Sequence, residues 1–359
     1  MAEPSFLSIN WQNFCQRLEG LGALIEHAGF ASAKLDQAEG YRYLTRLLRI
    51  ALDMNLENAD PNFPHFYAAS HATAKIGADN PDNIYMNATI SGKNRYRLWG
   101  RRQTVPLLSF GTKANRYALN GTMASTGELD ASELVIGPAG EFEIIVSPTR
   151  EGQNWLPLAE DSSLLIIRQT FLNRAQEQPA DIHIACLDPP HPTPPPLQEV
   201  LLAQQLSRTI GFIEGTAKTF ASWTDMLIDQ HFNQLTTINQ DMFQRAGGDP
   251  SIFYLHGYWK LADSEALIIE TRIPSCKFWN FQCDNVWFES LDYRHHHIHL
   301  NGHHAKLNQD GCLTIIISAQ DPGFGNWIDT AGHNHGTMLL RWVGAADHPI
   351  PTTRLIRLN

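Results

Sequence analysis

Between Lys277 and Trp342 the chain concentrates side chains that could do chemistry. Eight of the sixteen histidines and four of the nine tryptophans fall there, with Glu289, Asp292, Arg294, Asp329 and Arg341. Ionisable groups held among large aromatics are what a polar site in an apolar wall requires. Asp329 and His333 share one loop, and an Asp–His pair is the usual orienter and base. Glu289 and Asp292 flank Ser290-Leu291 beside Trp287 and Tyr293. Asp329, His333, Glu289 and Asp292 are therefore the candidate acid–base groups. Trp279, Asn280, Trp287, Tyr293, Arg294, Trp327 and Arg341 are the candidate binding wall. A competing reading makes the carboxylates partners in a buried ion-pair network. Arg341 lies in an apolar strand and cannot shed its proton, so it needs a carboxylate. Asp292 is the first choice, ahead of Glu289 and Asp329.

The histidines invite a metal. On a strand His295, His297 and His299 would share a face, and His333 or His335 could add a further ligand. No acidic ligand follows at a suitable spacing, so the expectation is hydrogen-bonded or solvent-facing imidazoles and no metal. Nucleophile elbows, Walker loops, zinc-protease helices and dinucleotide fingerprints are absent from the sequence. Covalent serine hydrolysis, NTP use and nicotinamide chemistry are disfavoured, and no cofactor is expected.

Two β-rich regions, each following helices, must position these groups. Residues 7–55 carry helical apolar spacing through Trp11, Phe14, Leu18, Leu21, Leu24 and Ile25, then through Tyr43, Leu44, Leu47, Leu48, Ala51 and Leu52. From Gly77 the period changes to short strands between turns, with Trp155–Pro157 read as a loop and Ser163–Thr170 as a buried strand interrupted by Arg168. Six prolines between Asp188 and Pro196 make an extended connection. Leu197 to Gln244 reads as helices broken near Gly211–Gly215. The division is a helical segment 1–70, a first β-sandwich 71–187, a linker 188–196, a helical segment 197–246 and a C-terminal β domain 247–359.

The two β regions echo one another. Gly77-Ala78-Asp79 leading to Tyr85 matches Gly247-Gly248-Asp249 leading to Tyr254. Asn154-Trp155 matches Asn326-Trp327, and Arg168 matches Arg341. The fold expected is mainly β with α-helical segments (α+β): two jelly-roll-like β-sandwiches from an internal duplication, each preceded by helices. The repeated Asn-Trp is expected to serve structure, with Trp plugging a sandwich end and Asn bonding the loop backbone. Asp329, His333 and the run His295–His304 occur in the second copy alone, which places the expected site there.

Phe278-Trp279-Asn280-Phe281-Gln282, Trp287 to Arg294, Asp310-Gly311 and Asp321 to Trp342 resemble a bacterial family known as domain of unknown function 1214. Pro81 to Tyr85 and Asn154 to Leu158 are also similar to it, so the likeness covers most of the chain beyond residue 70. The resemblance implies a jelly-roll-like C-terminal domain and no particular activity.

A net charge of −10 without a Lys/Arg stripe disfavours nucleic acid as a partner. No apolar run reaches membrane-spanning length, and the start lacks a basic, then apolar, leader. Five scattered cysteines read as reduced thiols. The expected protein is cytoplasmic. It is a cofactor-independent enzyme or binder for a small, largely apolar metabolite, with its pocket in the C-terminal domain. The alternative is a non-catalytic carbohydrate-binding or structural sandwich, in which exposed Trp rings stack on sugars.

Overall fold

The computed structural model describes residues 5–323 and 325–358. Helices α1 (Phe6–Gly20), α2 (Gly22–Glu26) and α3 (Lys34–Leu52) open the chain. Ser5 caps α1 by accepting from the Ser8 N–H, and Asp36 in the first turn of α3 accepts from the Ala33 N–H. Tyr43, Leu47, Ile50 and Ala51 bury one face of α3. Trp11, expected in the core stripe of α1, is instead 56% exposed and stacks on Phe14, the buried residue of that helix.

The first half contains strands β1 (Asn83–Thr89), β2 (Tyr96–Arg101) and β3 (Leu107–Arg116), a single helical turn α4 (Tyr117–Asn120), then β4 (Thr122–Asp130), β5 (Glu141–Ser147), β6 (Trp155–Pro157), β7 (Leu164–Thr170) and β8 (Asp181–Cys186). They form two four-stranded sheets ordered β1-β7-β3-β4 and β6-β5-β2-β8. The second half begins with α5 (Glu199–Gln230), β9 (Thr236–Thr237) and α6 (Gln240–Arg245). Its strands are β10 (Ile252–Lys260), β11 (Glu265–Arg272), β12 (Phe278–Asp284), β13 (His299–Asn301), β14 (Cys312–Ser318), β15 (Asn326–Asp329), β16 (His335–Val343) and β17 (Thr352–Arg357). Their order is β9-β10-β16-β12-β13 and β15-β14-β11-β17. Leaving β9 aside, each strand occupies the place of its counterpart in the first half. Even the parallel pairs agree, β5 with β6 and β14 with β15, in otherwise antiparallel sheets.

Each half is thus a β-sandwich-like pair of sheets with flanking helices. Among the described residues no sheet closes on itself as a barrel. The jelly-roll expectation gives way to open sandwiches because the fourth strand of the first half, β4, returns as a hairpin beside β3 instead of crossing to the facing sheet.

Among the described residues three large apolar cores stack on one another, and a small fourth cluster lies around Ala266, Ile268 and Ile316. One fills the first sandwich around Leu98, Phe110 and Ile167. Another fills the second around Trp259, Phe281 and Leu340. The third lies between the halves, where α3, α5 and both inner sheets meet around Tyr43, Phe220, Trp287 and Leu339. Strands β7 and β16 are therefore covered on both faces, which is why each carries consecutive apolar residues, Leu164 to Ile167 and Met338 to Leu340, ahead of its arginine. In β7, Leu165 and Ile167 enter the sandwich core, while Leu164 and Ile166 enter the central one.

Two further expectations change. Trp155–Pro157 is the short parallel strand β6. Helix α5 runs unbroken through Gly211 and Gly215. These glycines serve close packing rather than a break: a Cβ on Gly215 would lie 1.9 Å from the Tyr117 carbonyl oxygen, and one on Gly211 3.1 Å from the Ala118 Cβ. The helix stops at Gln230, and β9 and α6 occupy part of the stretch up to residue 246 that had read as helical.

Candidate functional site

The groups gathered in the sequence between Lys277 and Trp342 separate in space. Asp292 forms a two-pronged pair with Arg294 at the surface, 2.7 and 2.9 Å, and hydrogen bonding to Arg294 holds its carboxyl well below the usual range. It does not pair with Arg341. Asp329 accepts from His296 at 2.7 Å, whereas His333 meets Glu39 of α3 at 2.9 Å, so these two are not an orienter and base. Glu289 binds Arg46 of α3 at 2.6 Å, and burial raises its pKa against the opposing pull of that guanidinium. Trp287 drives into a notch at Gly40 and donates its indole N–H to the Asp36 carbonyl. Trp279 packs with Trp342 inside the second sandwich, and Tyr293 lies beneath the Lys75 ammonium, 4.8 Å from ring centre.

Several of these contacts belong to one network joining α3 to the second half. His335 meets Asp36 at 2.9 Å and Tyr258 at 2.7 Å, and Asn285 donates to both Glu39 and Glu289. It fastens the first half's helix to the second half's sheet.

The histidine run is also not one strand face. His295 to His297 lie in a turn and an irregular stretch, and β13 starts at His299, whose Nε2 lies 3.3 Å from Asp82. Among the described residues no group of three His, Cys, Asp or Glu side chains could hold a metal ion.

The Asn-Trp loops are structurally equivalent. Asn154 donates to the carbonyls of Val135 and Glu143 and accepts from the Val135 N–H; Asn326 does the same with Lys306 and Thr314. Trp155 donates to the Ser147 carbonyl at 3.1 Å and Trp327 to that of Ser318 at 3.0 Å.

Among the described residues, Arg341 is the one expected site residue that lines a substantial cavity. That cavity, about 160 Å³, lies between the two inner sheets, not within the C-terminal domain. Its walls are apolar: Met54, Met123, Ile166, Phe220, Phe243 and Leu339 contribute. Its polar lining includes Asp79, Asn87 and Tyr67 and, among the strands, two matched pairs. Tyr85 on β1 faces Arg168 on β7 across the ladder, and Tyr254 on β10 faces Arg341 on β16 in the same register. The Tyr85 hydroxyl accepts the Asn80 N–H at 2.9 Å, and the Tyr254 hydroxyl accepts the Asp249 N–H at 3.0 Å. Each arginine reaches across to the other half's turn. Arg168 Nη2 donates to the Gly247 carbonyl at 2.6 Å, and Arg341 Nη2 to that of Ala78 at 2.5 Å.

The pairs diverge in what surrounds each guanidinium. Beside Arg341, β12 supplies two amide acceptors, Gln282 Oε1 at 2.5 Å and Asn280 Oδ1 at 3.3 Å, both donated to by Nη1. Beside Arg168, β3 supplies Ser109 and Gly111 at the corresponding ladder positions. Among the described residues Arg168 Nη1 consequently has no hydrogen-bond partner, and a carboxylate oxygen of Asp249 lies 3.8 Å away. A second buried atom lining the cavity lacks a partner on the other side. His256, which stands where Asn87 stands in the first half, leaves Nδ1 unmet, and the Tyr67 hydroxyl in the same lining is a third such atom. Burial, with Arg341 and His231 adding to it, brings the His256 pKa down to about 3, so its ring is neutral.

Arg168 and His256 were not singled out as site residues from sequence. The available signal was the match of Arg168 to Arg341: a guanidinium in a strand buried on both faces needs a reason in each copy.

A family model described as "Protein of unknown function (DUF1214)" matches residues 266–347. The crystal structure of an uncharacterized protein from Burkholderia cenocepacia is similar over nearly the whole length: 46% identity, TM-score 0.95, covering 97% of this chain and 96% of that one. The VPA0106 protein from Vibrio parahaemolyticus shares the fold at 12% identity and TM-score 0.52, covering 94% of this chain and 100% of that one. No curated protein matches the chain. With a specific match in its second sandwich and a close relative along its whole length, this chain belongs to the DUF1214 family.

Proposed function

We propose that the protein binds a small, largely apolar metabolite in the cavity between its two halves, without needing a cofactor. The observation that carries this reading is the set of three buried polar atoms, Arg168 Nη1, His256 Nδ1 and the Tyr67 hydroxyl, left without partners in residues that line one largely apolar cavity. Buried polar atoms are almost always satisfied, and a ligand is one way to satisfy them. The cavity is comparable in volume to engineered protein cavities of about 150 Å³ that admit benzene. Binding is favoured over proton transfer. A catalytic acid or base works best with a pKa near the operating pH. His256 sits at about 3, and burial pushes Tyr254 up to about 12.

The carbohydrate-binding alternative draws less support. Trp259, Trp279, Trp287 and Trp342 are buried, and Trp327 spends its N–H on a backbone carbonyl. Matching strand orders, the Asn-Trp loops and the Tyr–Arg pairs support an internal duplication. Free cysteines fit a reducing, cytoplasmic setting. Among the described residues no helix is long and apolar enough to cross a membrane.

Fluorobenzene, followed by ¹⁹F NMR, tests the reading. It is expected to bind the native protein and to be excluded by Ile166→Phe, which fills the cavity. Binding undiminished by that substitution, or no binding to the native protein, overturns it.

A further inference from the structure

We infer that the cavity's ligand carries a carboxylate, held by Arg168, on a body about the size of a single six-membered ring. This rests on the binding reading above and specifies it. The two halves provide an internal control for what a guanidinium at this position requires. Arg341 donates from Nη1 to two carbonyl-type oxygens, on Gln282 and Asn280, and from Nη2 to the Ala78 carbonyl. Arg168 keeps the equivalent Nη2 contact and lacks both oxygens at Nη1. The group missing from its shell is thus a planar oxygen acceptor, supplied in the second half by side chains of β12.

Charge selects a carboxylate over a neutral carbonyl. Arg168 is 11% exposed in its side chain and cannot discharge. The acids around it leave its Nη1 without a hydrogen bond. Asp249 Oδ2 stands 3.8 Å away and accepts from the Ser109 hydroxyl at 3.4 Å, while its Oδ1 accepts from the Ser251 N–H and hydroxyl at 2.9 and 2.7 Å; Asp79 accepts from the Ser290 N–H and hydroxyl at 3.0 and 2.9 Å. Glu128 is bound by the buried Lys113 ammonium and by Ser125. The unmet donor is therefore part of a fixed positive group in a largely desolvated site, where a charge-assisted bond is strongest. The Phe220, Trp223 and Phe243 rings would face the ligand's body, and the neutral His256 imidazole can donate or accept one further hydrogen bond.

The test compares benzoate with toluene, a similar shape without charge, by calorimetry on the full-length protein, using native chain, Arg168→Gln and Ser109→Asn. Benzoate is expected to bind the native protein about tenfold or more tightly than toluene. Arg168→Gln should remove that preference while keeping toluene affinity, and Ser109→Asn, which offers Arg168 an internal oxygen, should weaken benzoate alone. Equal binding of the two probes to the native protein, or toluene preferred, overturns the carboxylate inference and leaves the cavity reading standing. Failure of both probes to bind overturns both. The native-protein comparison decides the matter even if either variant does not fold.

Discussion

Arg168 and Arg341 occupy the same ladder position in two sandwiches of the same strand order, yet they do different work. Each anchors itself on a carbonyl of the opposite half. Beyond that shared contact, Arg341 is enclosed by amide oxygens, while Arg168 keeps a donor free. One arginine is fully taken up in the fold's internal bonding, and its twin is taken up only in part. Backbone topology sets where a charged group stands. One or two neighbouring side chains then decide how many of its donors the fold itself satisfies.

Loss of each guanidinium should therefore cost different amounts. Arg341→Met strands three acceptors, two of them side-chain amides, and is expected to lower stability by about 3 kcal/mol or more in urea unfolding. Arg168→Met strands one carbonyl and loosens a distant pairing with Asp249, for about 1 kcal/mol. Equal losses would break the comparison. The cycle of Arg341→Met with Asp292→Asn should be additive within about 0.5 kcal/mol, because Asp292 belongs to Arg294. Strong coupling between them would restore the pairing suggested by sequence alone.

The clasp between α3 and the second half gives a pH signature that the cavity arginines lack. Burial pulls the His333 pKa down, and the hydrogen bond and charge of Glu39 more than reverse it, leaving it raised. Glu39 shows the complementary result: burial raises it, and His333, with Arg42 and Asn285, brings it below its usual value. A raised histidine contributes fully below its unfolded pKa, about 6.5, and the contribution is lost as pH rises through the native value. A lowered carboxylate contributes above about 4.5 and is lost as pH falls through its native value. His333→Gln is expected to cost about 2 kcal/mol between those limits and progressively less at alkaline pH. A cost that stays constant up to about pH 9 would show that the pair does not titrate as described.

The smallest effects should be matched ones. Trp155→Phe and Trp327→Phe each remove one indole donor from a serine carbonyl at the same point of the two sandwiches. Both are expected to cost about 1 kcal/mol, equal within error, by thermal or urea unfolding. A large difference would mean that one of these rings has a role beyond the loop.

Much of the architecture was legible because it rests on local chemistry. Strand alternation, turn glycines and the recurrent Asn-Trp located the β elements and their repetition. The site was not, because proximity in sequence is a poor guide to where strand residues point. Asp329 and His333 share a loop, but their side chains leave it toward His296 and Glu39. Arg341 was correctly expected to need a partner. The expectation of a carboxylate failed because several neutral oxygens satisfy a guanidinium without a second buried charge to desolvate. Gly211 and Gly215 misled for a related reason: their lack of a side chain answers to α4, which packs on them from elsewhere in the chain.

The exchanged contacts of Arg168 and Arg341 also bear on ancestry. First half to second and second half to first, the same residue type reaches the same turn, which is the isologous pattern of a two-fold dimer. Two identical chains associating in this way would place the cavity on the dyad and line it twice with the same groups. Any ligand held there would meet two equal arginines. A single chain with two such halves is free of that constraint. Substitutions at Ser109 and Gly111, or at Asn280 and Gln282, can alter one side alone, so a symmetric hollow can acquire a direction and seat a molecule with a charged end and an apolar end.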